Sequence, residues 1–243
     1  MVDINALRQK YEEINKKPGG NADFLDKFLM MDEGTTNVRI LPWKNDTDGF
    51  YAESGIHRIN DTNYHCPRVK GDPCPLCDLN HRLWQTKNDA NIEIAREIKA
   101  RKRYYMNVVD RRDGKVKILS MGIKLFSKIL DAFLDEDFGD LTDVHNGWDF
   151  KIVKEKSGPW PSFDKSAPRP KSSPAGTDAE IATWMDEIHD IHGLVKVAEY
   201  ETLKNLAMQI TGTPSQEAST TTEETTDDGD EDYLSHLKNI QSN

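Results

Sequence analysis

Alternating and periodic apolar residues predict the strands of the fold. Alternation over residues 36–42 indicates a half-buried strand that ends at Pro42. Residues 102–109 have the aromatic and β-branched content of a strand, and an Asp-Gly turn at residues 113–114 precedes the apolar alternation of residues 115–119. We therefore expect the last two segments to pair as a β-hairpin.

Apolar residues at helical spacing predict several helices, while two segments read as loops. The helices are expected at residues 5–17, residues 81–100, the segment carrying Ile123, Phe126, Leu130 and Phe133, the segment after the capping box Thr177–Glu180, and residues 198–210. Residues 50–79 and residues 157–176 are rich in loop-forming residues. Trp148 and Trp184 fall on apolar periodic faces, which places both in the core.

Short strands interrupted by helices favour an α+β fold that is mainly β, with a small Greek-key barrel of the OB-fold type. Residues 1–20 form an N-terminal arm that Pro18, Gly19 and Gly20 separate from the core. The core is expected over residues 21–212. Residues 213–232 hold few large apolar side chains, so we expect a disordered acidic tail within residues 213–243.

The charges of the chain are segregated, so its net charge of −10 is misleading. Residues 214–243 carry eight acids against one base. The acids that we assign to autoinhibition or partner binding are Glu223, Glu224, Asp227, Asp228, Asp230, Glu231 and Asp232. Residues 96–117 instead carry nine bases against three acids. A basic strip and an acidic tail can compete for the same partner surface.

Three clustered cysteines predict a metal site. Cys74 and Cys77 have the two-residue spacing of a zinc knuckle, and Cys66 is a third thiolate. The fourth ligand is open between His57, which we favour, and His81, because His65 adjoins Cys66 and the two side chains would point apart. With four protein ligands one zinc ion would be structural and would fold a lobe over about residues 56–80.

Basic and aromatic residues occur together, as single-stranded nucleic acid requires, because its phosphates attract Lys and Arg and its bases stack on rings. The candidate DNA contacts are Arg39, Trp43, Lys44, Arg101, Lys102, Arg103, Tyr104, Tyr105, Arg111, Arg112, Lys115, Trp160 and Phe163. On a strand, Tyr104 and Tyr105 face opposite sides, so at most one of them can line a groove.

The sequence has no long apolar run and no cleavable leader pattern, which favours a soluble intracellular protein without a membrane partner. We find no phosphate-binding loop, no HExxH motif and no zinc set with an open position, so a catalytic role is not expected. Two other functions stay open: a zinc-stabilised adaptor for an acidic protein and, with less support, a zinc-containing nuclease.

Over about residues 35–243 the chain resembles the gene-thirty-two-type single-stranded DNA-binding proteins of T4-like phages. The resemblance rests on residues 38–46, on a histidine followed by Cys66 and the segment Cys74-Pro75-Leu76-Cys77, on residues 103–109, and on the acidic tail. The zinc segment with the basic aromatic strand after it is the specific part.

The resemblance implies an OB-fold with a zinc lobe whose ligands, by order, are His57, Cys66, Cys74 and Cys77. It also implies sequence-independent binding of single-stranded DNA in phage replication, recombination and repair, in the cytoplasm of the infected bacterium. The tail would cover the DNA groove and recruit replication and recombination proteins. The family's basic N-terminal motif for self-association along DNA is missing, because residues 1–9 offer only Arg8.

Overall fold

The computed structural model describes residues 26–44, 49–158 and 160–212. The predicted arm at residues 1–20, its helix at residues 5–17 and the acidic tail at residues 213–243 lie outside the described residues. A compact unit extends to Ala207, and a second unit begins at Met208.

Eight strands, among the described residues, form one antiparallel sheet. They are β1 (Gly34–Ile40), β2 (Ala52–Ile59), β3 (Thr62–His65), β4 (Arg101–Asp110), β5 (Val116–Met121), β6 (Asp149–Ser157), β7 (Trp160–Ser162) and β8 (Ala167–Pro168). The order is β3-β2-β4-β1-β6-β7, with β5 paired to β4 and β8 paired to β6. The expected β4–β5 hairpin is confirmed by the pairing of Val109 with Val116.

The long strand β4 curls the sheet into a half-barrel. One edge of β4 pairs with β5. Its other edge pairs first with β2, from Arg101 to Tyr105, and then with β1, from Val108 to Asp110. A strand shared in this way must twist between its two partners, as in closed or partly closed barrels.

The described helices are α1 (Pro75–Gln85), α2 (Asp89–Ile98), α3 (Ile123–Leu134), α4 (Asp178–Asp186), α5 (Ile191–Leu194) and α6 (Tyr200–Thr211), with a 3-10 turn at Pro67–Lys70. In the described part of the chain they hold more residues than the strands, so the expectation of a mainly β protein is wrong and the fold is mixed. The predicted capping box of α4 is confirmed, with Thr177 accepting from the Glu180 N–H.

The single helix expected over residues 81–100 is wrong, because two helices occupy residues 75–98. The first ends at Gln85, and Lys87 takes a left-handed φ of 53° that breaks the helical ladder. Asn88 then caps the second helix, with its side chain accepting from the Asn91 N–H at 3.2 Å. An asparagine cap inside an otherwise periodic stretch was the signal for this boundary.

Strands lie within the segment expected to be loop-rich, residues 50–79, and within the expected irregular loop, residues 157–176. β2 and β3 lie within residues 50–79 and are joined at Asn60 and Asp61, whose φ values of 48° and 60° are those of a tight hairpin turn. Asn and Asp tolerate this conformation better than other non-glycine residues. The short strands β7 and β8 lie within residues 157–176.

Both faces of the sheet are covered by helices. Tyr104 and Met106 of β4 and Val38 of β1 lie in one core cluster. That cluster also includes Phe126 of α3. On the opposite face, Tyr105 packs in a cluster with Ile191 of α5. Alternation along one strand therefore supplies two cores.

Within the described residues we find no helix that is both long enough and apolar enough to cross a membrane.

Candidate metal centre and nucleic-acid interface

The four predicted zinc ligands come together. The ligand atoms of His57, Cys66, Cys74 and Cys77 all lie within 4.8 Å of one another. His57 Nε2 is 3.3 Å from Cys74 Sγ and 3.6 Å from Cys77 Sγ, and Cys66 Sγ is 3.5 Å from Cys77 Sγ. His57, Cys66 and Cys74 are buried.

The spacing fits one tetrahedral ion. Zinc held by thiolates at about 2.3 Å and by an imidazole at about 2.0 Å separates its ligand atoms by about 3.5 to 3.8 Å. The observed separations of 3.3 to 3.6 Å are close to these values. A disulfide would need sulfur atoms about 2.05 Å apart, so the cysteines are free thiols. The cluster is therefore a buried site able to hold a metal.

Each ligand is fixed by a distinct element. His57 lies on β2, Cys66 directly follows β3, Cys74 is the N-cap of α1, and Cys77 lies in the first turn of that helix. His57 Nδ1 is 2.6 Å from the Ile98 carbonyl oxygen, which leaves Nε2 facing the thiols. A hydrogen bond of this kind orients a metal-binding imidazole and selects its tautomer.

A glycine lets the cysteine segment approach β2. A Cβ atom added to Gly55 would lie 3.1 Å from Cys66 Cβ and 3.4 Å from the Val69 side chain. The Cys66 N–H also donates to the Gly55 carbonyl at 2.8 Å. A side chain at position 55 would therefore require Cys66 to shift by a few tenths of an ångström.

The close approach of the thiols shifts the pKa values of Cys66 and Cys77 in opposite directions. Hydrogen bonds from Cys74 and Cys77 lower the pKa of Cys66 to about 3. The same contacts raise the pKa of Cys77, because a second thiolate would lie beside the first. A bound cation would remove this repulsion, which is the chemistry expected of a thiolate-rich zinc site.

The other two histidines lie apart from the cluster. His65 Nδ1 is 2.6 Å from the Ser54 hydroxyl, and burial lowers the pKa of its imidazole. His81 is exposed on α1 and contacts the Gln85 amide at 2.7 Å. The geometry therefore selects His57 over both alternatives.

The basic strip divides into an exposed part and a paired part. Arg101, Lys102 and Arg103 are exposed at the start of β4, with Lys102 Nζ 3.7 Å from a Glu53 carboxylate oxygen. Lys115 is exposed beyond the hairpin turn. Arg101, Arg103 and Lys115 therefore present positive charge to solvent, while Lys102 is exposed but paired with Glu53.

Arg111 and Arg112 instead form ion pairs. Arg111 Nη2 donates to Asp149 at 2.6 Å, and its Nη1 donates to the Ala175 carbonyl at 2.7 Å. Arg112 Nη2 donates at 2.7 Å to Asp110, which is buried. Burial acts to raise the pKa of the Asp110 carboxyl, but hydrogen bonds from Arg112 outweigh it and lower the pKa below its usual range.

Neither tyrosine presents its ring to solvent. Tyr104 is 4% exposed and stacks on Phe126 with ring centroids 3.8 Å apart. Tyr105 is 5% exposed, and burial raises the pKa of its phenol although the neighbouring Arg103 opposes the shift. In this conformation both rings are core residues, and substitution of Tyr104 by alanine would act first on stability. Tyr104 and Tyr105, both predicted as DNA contacts, thus pack against helices on the two faces of the sheet.

Arg39 is fully buried rather than exposed. Its Nη1 is 3.6 Å from Asp149 Oδ1, and its Nη2 donates to the Ser173 carbonyl oxygen. Burial lowers the pKa of the Arg39 guanidinium, and the charge of Asp149 opposes that shift. A phosphate could reach Arg39 only if the chain segment around Ser173 moved.

The remaining candidates differ in accessibility. Trp43 is half-buried with its ring 4.5 Å from the His192 ring, and the Lys44 ammonium donates to the Asp186 carbonyl at 3.3 Å. Phe163 is half-buried against the main core. Trp160, in contrast, is 64% exposed at the start of β7. Of the candidate aromatic residues it is the one open to stacking.

Sequence reasoning missed the acidic partners of the arginines. Asp149 and Asp110 neutralise Arg111 and Arg112, so the positive strip is shorter than the count of bases suggests. Asp110 is a near neighbour of Arg112 in sequence, which was an available signal. Asp149 reaches Arg111 only through the fold.

One protein family accounts for these features together. A family model described as "gp32 DNA binding protein like" matches residues 32–212. A search of the curated proteins found no match. The matched residues include all eight strands and the four clustered ligands. Since this span covers well over half of the 243 residues, the chain belongs to the gp32-like family of DNA-binding proteins.

Proposed function

We propose that this protein binds single-stranded DNA without sequence preference and catalyses no reaction. The family match over residues 32–212 carries the proposal, because the family is one of binding proteins. The curled antiparallel sheet agrees with an OB-fold, which is a common platform for single strands. We further propose a role in replication, recombination and repair of phage DNA in the cytoplasm of the infected bacterium.

Binding would combine charge with stacking. Arg101, Lys102 and Arg103 form a row of exposed cations on β4 that can track phosphates. Trp160 offers an exposed ring on which a base can stack. None of these groups reads a base edge, so the binding they support is tolerant of sequence.

Substitution of Trp160 by alanine is expected to weaken binding to a single strand by about 1 to 3 kcal/mol, the contribution of one stacked base. The ring is exposed, so the free energy of unfolding should change little. Titration of wild type and variant with a fluorescently labelled oligonucleotide, alongside a urea denaturation of each, measures both quantities.

Trp84 provides the matched control, because it is 41% exposed on α1 and lies outside the proposed contacts. Trp84→Ala should bind as the wild type does. Equal affinity for the wild type and Trp160→Ala would remove Trp160 from the interface. An equal loss in both variants would show that the effect is not specific to position 160.

We propose that the metal is one structural Zn²⁺. His57, Cys66, Cys74 and Cys77 would hold it, and it would supply charge neutralisation for the thiolates. Four protein ligands leave no position for a substrate, so the ion would fold the lobe around β2, β3 and α1 and take no part in chemistry. The lobe would in turn support β2 where it pairs with the basic start of β4.

The acidic tail would compete with DNA for the exposed bases. Its eight acids, tethered to the core, reach a high effective concentration at the row of residues 101–103. Residues 232–238 add apolar side chains beyond the acids and would recruit replication and recombination proteins. Self-association along DNA would need a contact other than a basic N-terminal motif.

Truncation after Gly212 is therefore expected to tighten binding to single strands, with the largest gain at low salt, because screening weakens the competing tail. Affinities of the full chain and the truncated chain should converge as salt rises. Anisotropy titrations across a salt series measure the difference. Identical affinities at every salt concentration would exclude competition by the tail.

A further inference from the structure

Two open clefts meet at the loop that follows β8. The first has a volume of ≈ 650 Å³ and is lined by Asp137, Phe138, Trp148, Pro170, Lys171 and Ser172. The second has a volume of ≈ 310 Å³ and is lined by Asp149, Arg169, Pro170, Lys171 and Ser173. Because Pro170 and Lys171 line both, the two clefts adjoin each other at this loop.

The first cleft has an aromatic wall. The rings of Phe138 and Trp148 are perpendicular, with centroids 6.1 Å apart, and both side chains are half-buried. The exposed parts of the two rings form an apolar surface in the cleft that Lys171 also lines. An unstacked base fits such a surface, because every base has an apolar face and carries a phosphate close by.

The second cleft is surrounded by cations. Arg169 and Lys171 are exposed, and neither forms an ion pair with a described residue. Ser173, which accepts a hydrogen bond from Arg39, and Asp149, its counter-ion, both line the cleft. Arg39 therefore lies directly behind the cleft wall. The single carboxylate of the cleft, Asp149, is already bound by Arg111. The net charge beside this cleft is positive.

Arg39 also has unused donors. Its Nε and Nη1 atoms are buried and have no hydrogen-bond partner among the described residues. Buried donors without acceptors are rare in proteins, and a bound ion is one of the features that accounts for them. A phosphate in the second cleft would not contact Arg39 while Ser173 stays in place, but it would add a counter-charge near an arginine that now shares one carboxylate with Arg111.

The loop is held in place, so the clefts are preformed. The Arg169 N–H donates to the Asp149 carbonyl at 2.8 Å, and the Ser173 N–H donates to the Gly147 carbonyl at 2.9 Å. These bonds fix the loop at both ends without using its side chains. A rigid loop loses little entropy when it binds a ligand.

We propose that the two clefts bind one nucleotide unit of a single strand, with a base against Trp148 and Phe138 and a phosphate at Arg169 and Lys171. This inference rests on the proposed function and adds a contact region to it. The base would occupy the first cleft and the phosphate the second, with Pro170 and Lys171 lining both. The ligand class is a single-stranded polynucleotide.

The test uses the full chain and compares two double variants. Arg169→Ala/Lys171→Ala removes both cations of the clefts, and Lys70→Ala/Arg82→Ala removes one lysine and one arginine exposed on the metal-binding lobe. Affinity for an oligonucleotide is measured across a salt series. Each lost phosphate contact should reduce the slope of log affinity against log salt by about 0.7. The cleft variant, which loses the one phosphate contact that Arg169 and Lys171 share, is expected to lose about 0.7 in slope, and the lobe variant is expected to keep the wild-type slope.

Photo-crosslinking to an oligonucleotide containing 5-iodouracil, followed by peptide mass spectrometry, supplies the second readout. Crosslinks at Trp148 or Phe138 are expected in the wild type. An unchanged slope in the cleft variant, or crosslinks confined to Trp160, would overturn the cleft contact and leave single-strand binding intact. Absence of any binding by the wild type would overturn the proposed function and this inference with it.

Discussion

Substitution of Cys74 by serine is expected to release the metal and to unfold the lobe that carries β2, β3 and α1. Cys74 is fully buried and lies 3.3 Å from His57 Nε2, so its thiolate is central to the cluster. Structural zinc sites contribute about 10 to 16 kcal/mol of apparent binding free energy in small zinc-folded peptides. Loss of one of four ligands should therefore be the largest effect of any single substitution in the chain.

Metal content per chain and limited proteolysis measure this outcome. Cleavage in the variant should begin within residues 56–80, because the proposed ion would hold that segment together. His81→Ala is the matched control, since His81 is exposed and lies outside the cluster, and it should keep a full complement of metal. Metal retained by Cys74→Ser, or lost from His81→Ala, would contradict the ligand set.

Substitution of Asp149 by alanine is expected to destabilise the fold by about 3 to 5 kcal/mol, the cost of leaving buried charge uncompensated. Its carboxylate faces Arg39, which is fully buried, and Arg111, whose side chain is 23% exposed. Two cations would lose their common counter-ion. Urea denaturation of wild type and variant measures the change in the free energy of unfolding.

Asp186→Ala is the control for this substitution. Asp186 accepts from Lys44 at 3.5 Å, but both side chains are more than half exposed, so the expected change is below about 1 kcal/mol. A loss as small as that in Asp149→Ala would mean that Arg39 and Arg111 find other partners. The role of Asp149 as their counter-ion would then be wrong.

The metal cluster could be predicted because its information is local. The spacing of Cys74 and Cys77, with Cys66 nearby, restricts three ligands to a short stretch of chain. The choice between His57 and His81 needed the structure. Both were within reach of the cysteines by sequence position, and only the structure shows that His81 faces solvent on α1. Periodicity likewise placed β1, the β4–β5 hairpin and the capping box of α4, each defined by neighbouring residues.

The burial and ion pairing of the basic and aromatic residues could not be predicted, because they depend on contacts between distant parts of the chain. Arg39 meets Ser173 and Asp149 only after β6 and the following loop have folded over β1. Tyr105 alternates with Tyr104 as expected, but α5 covers its face of the sheet as well. A sequence pattern shows which side a residue faces and not which element will cover that side.

Trp148 is a predicted core residue whose partial exposure could not be read from the sequence. Its strand spacing placed it in the core, and it does pack against the core. It also remains half-exposed at the wall of a cleft that the distant residues Pro170 and Lys171 complete. The local sequence does not show that one face of a ring packs on the core while the rest lines a cleft.

Titration of intrinsic tryptophan fluorescence with oligo-dT and with duplex DNA of equal length tests the central claim most directly. The account predicts quenching by the single strand alone, with log affinity falling by about 0.7 per phosphate contact against log salt. Exposed Trp160 and half-exposed Trp148 would be the quenched residues. An equal response to the duplex, or no response to either DNA from protein that carries its metal, would contradict binding to single-stranded DNA.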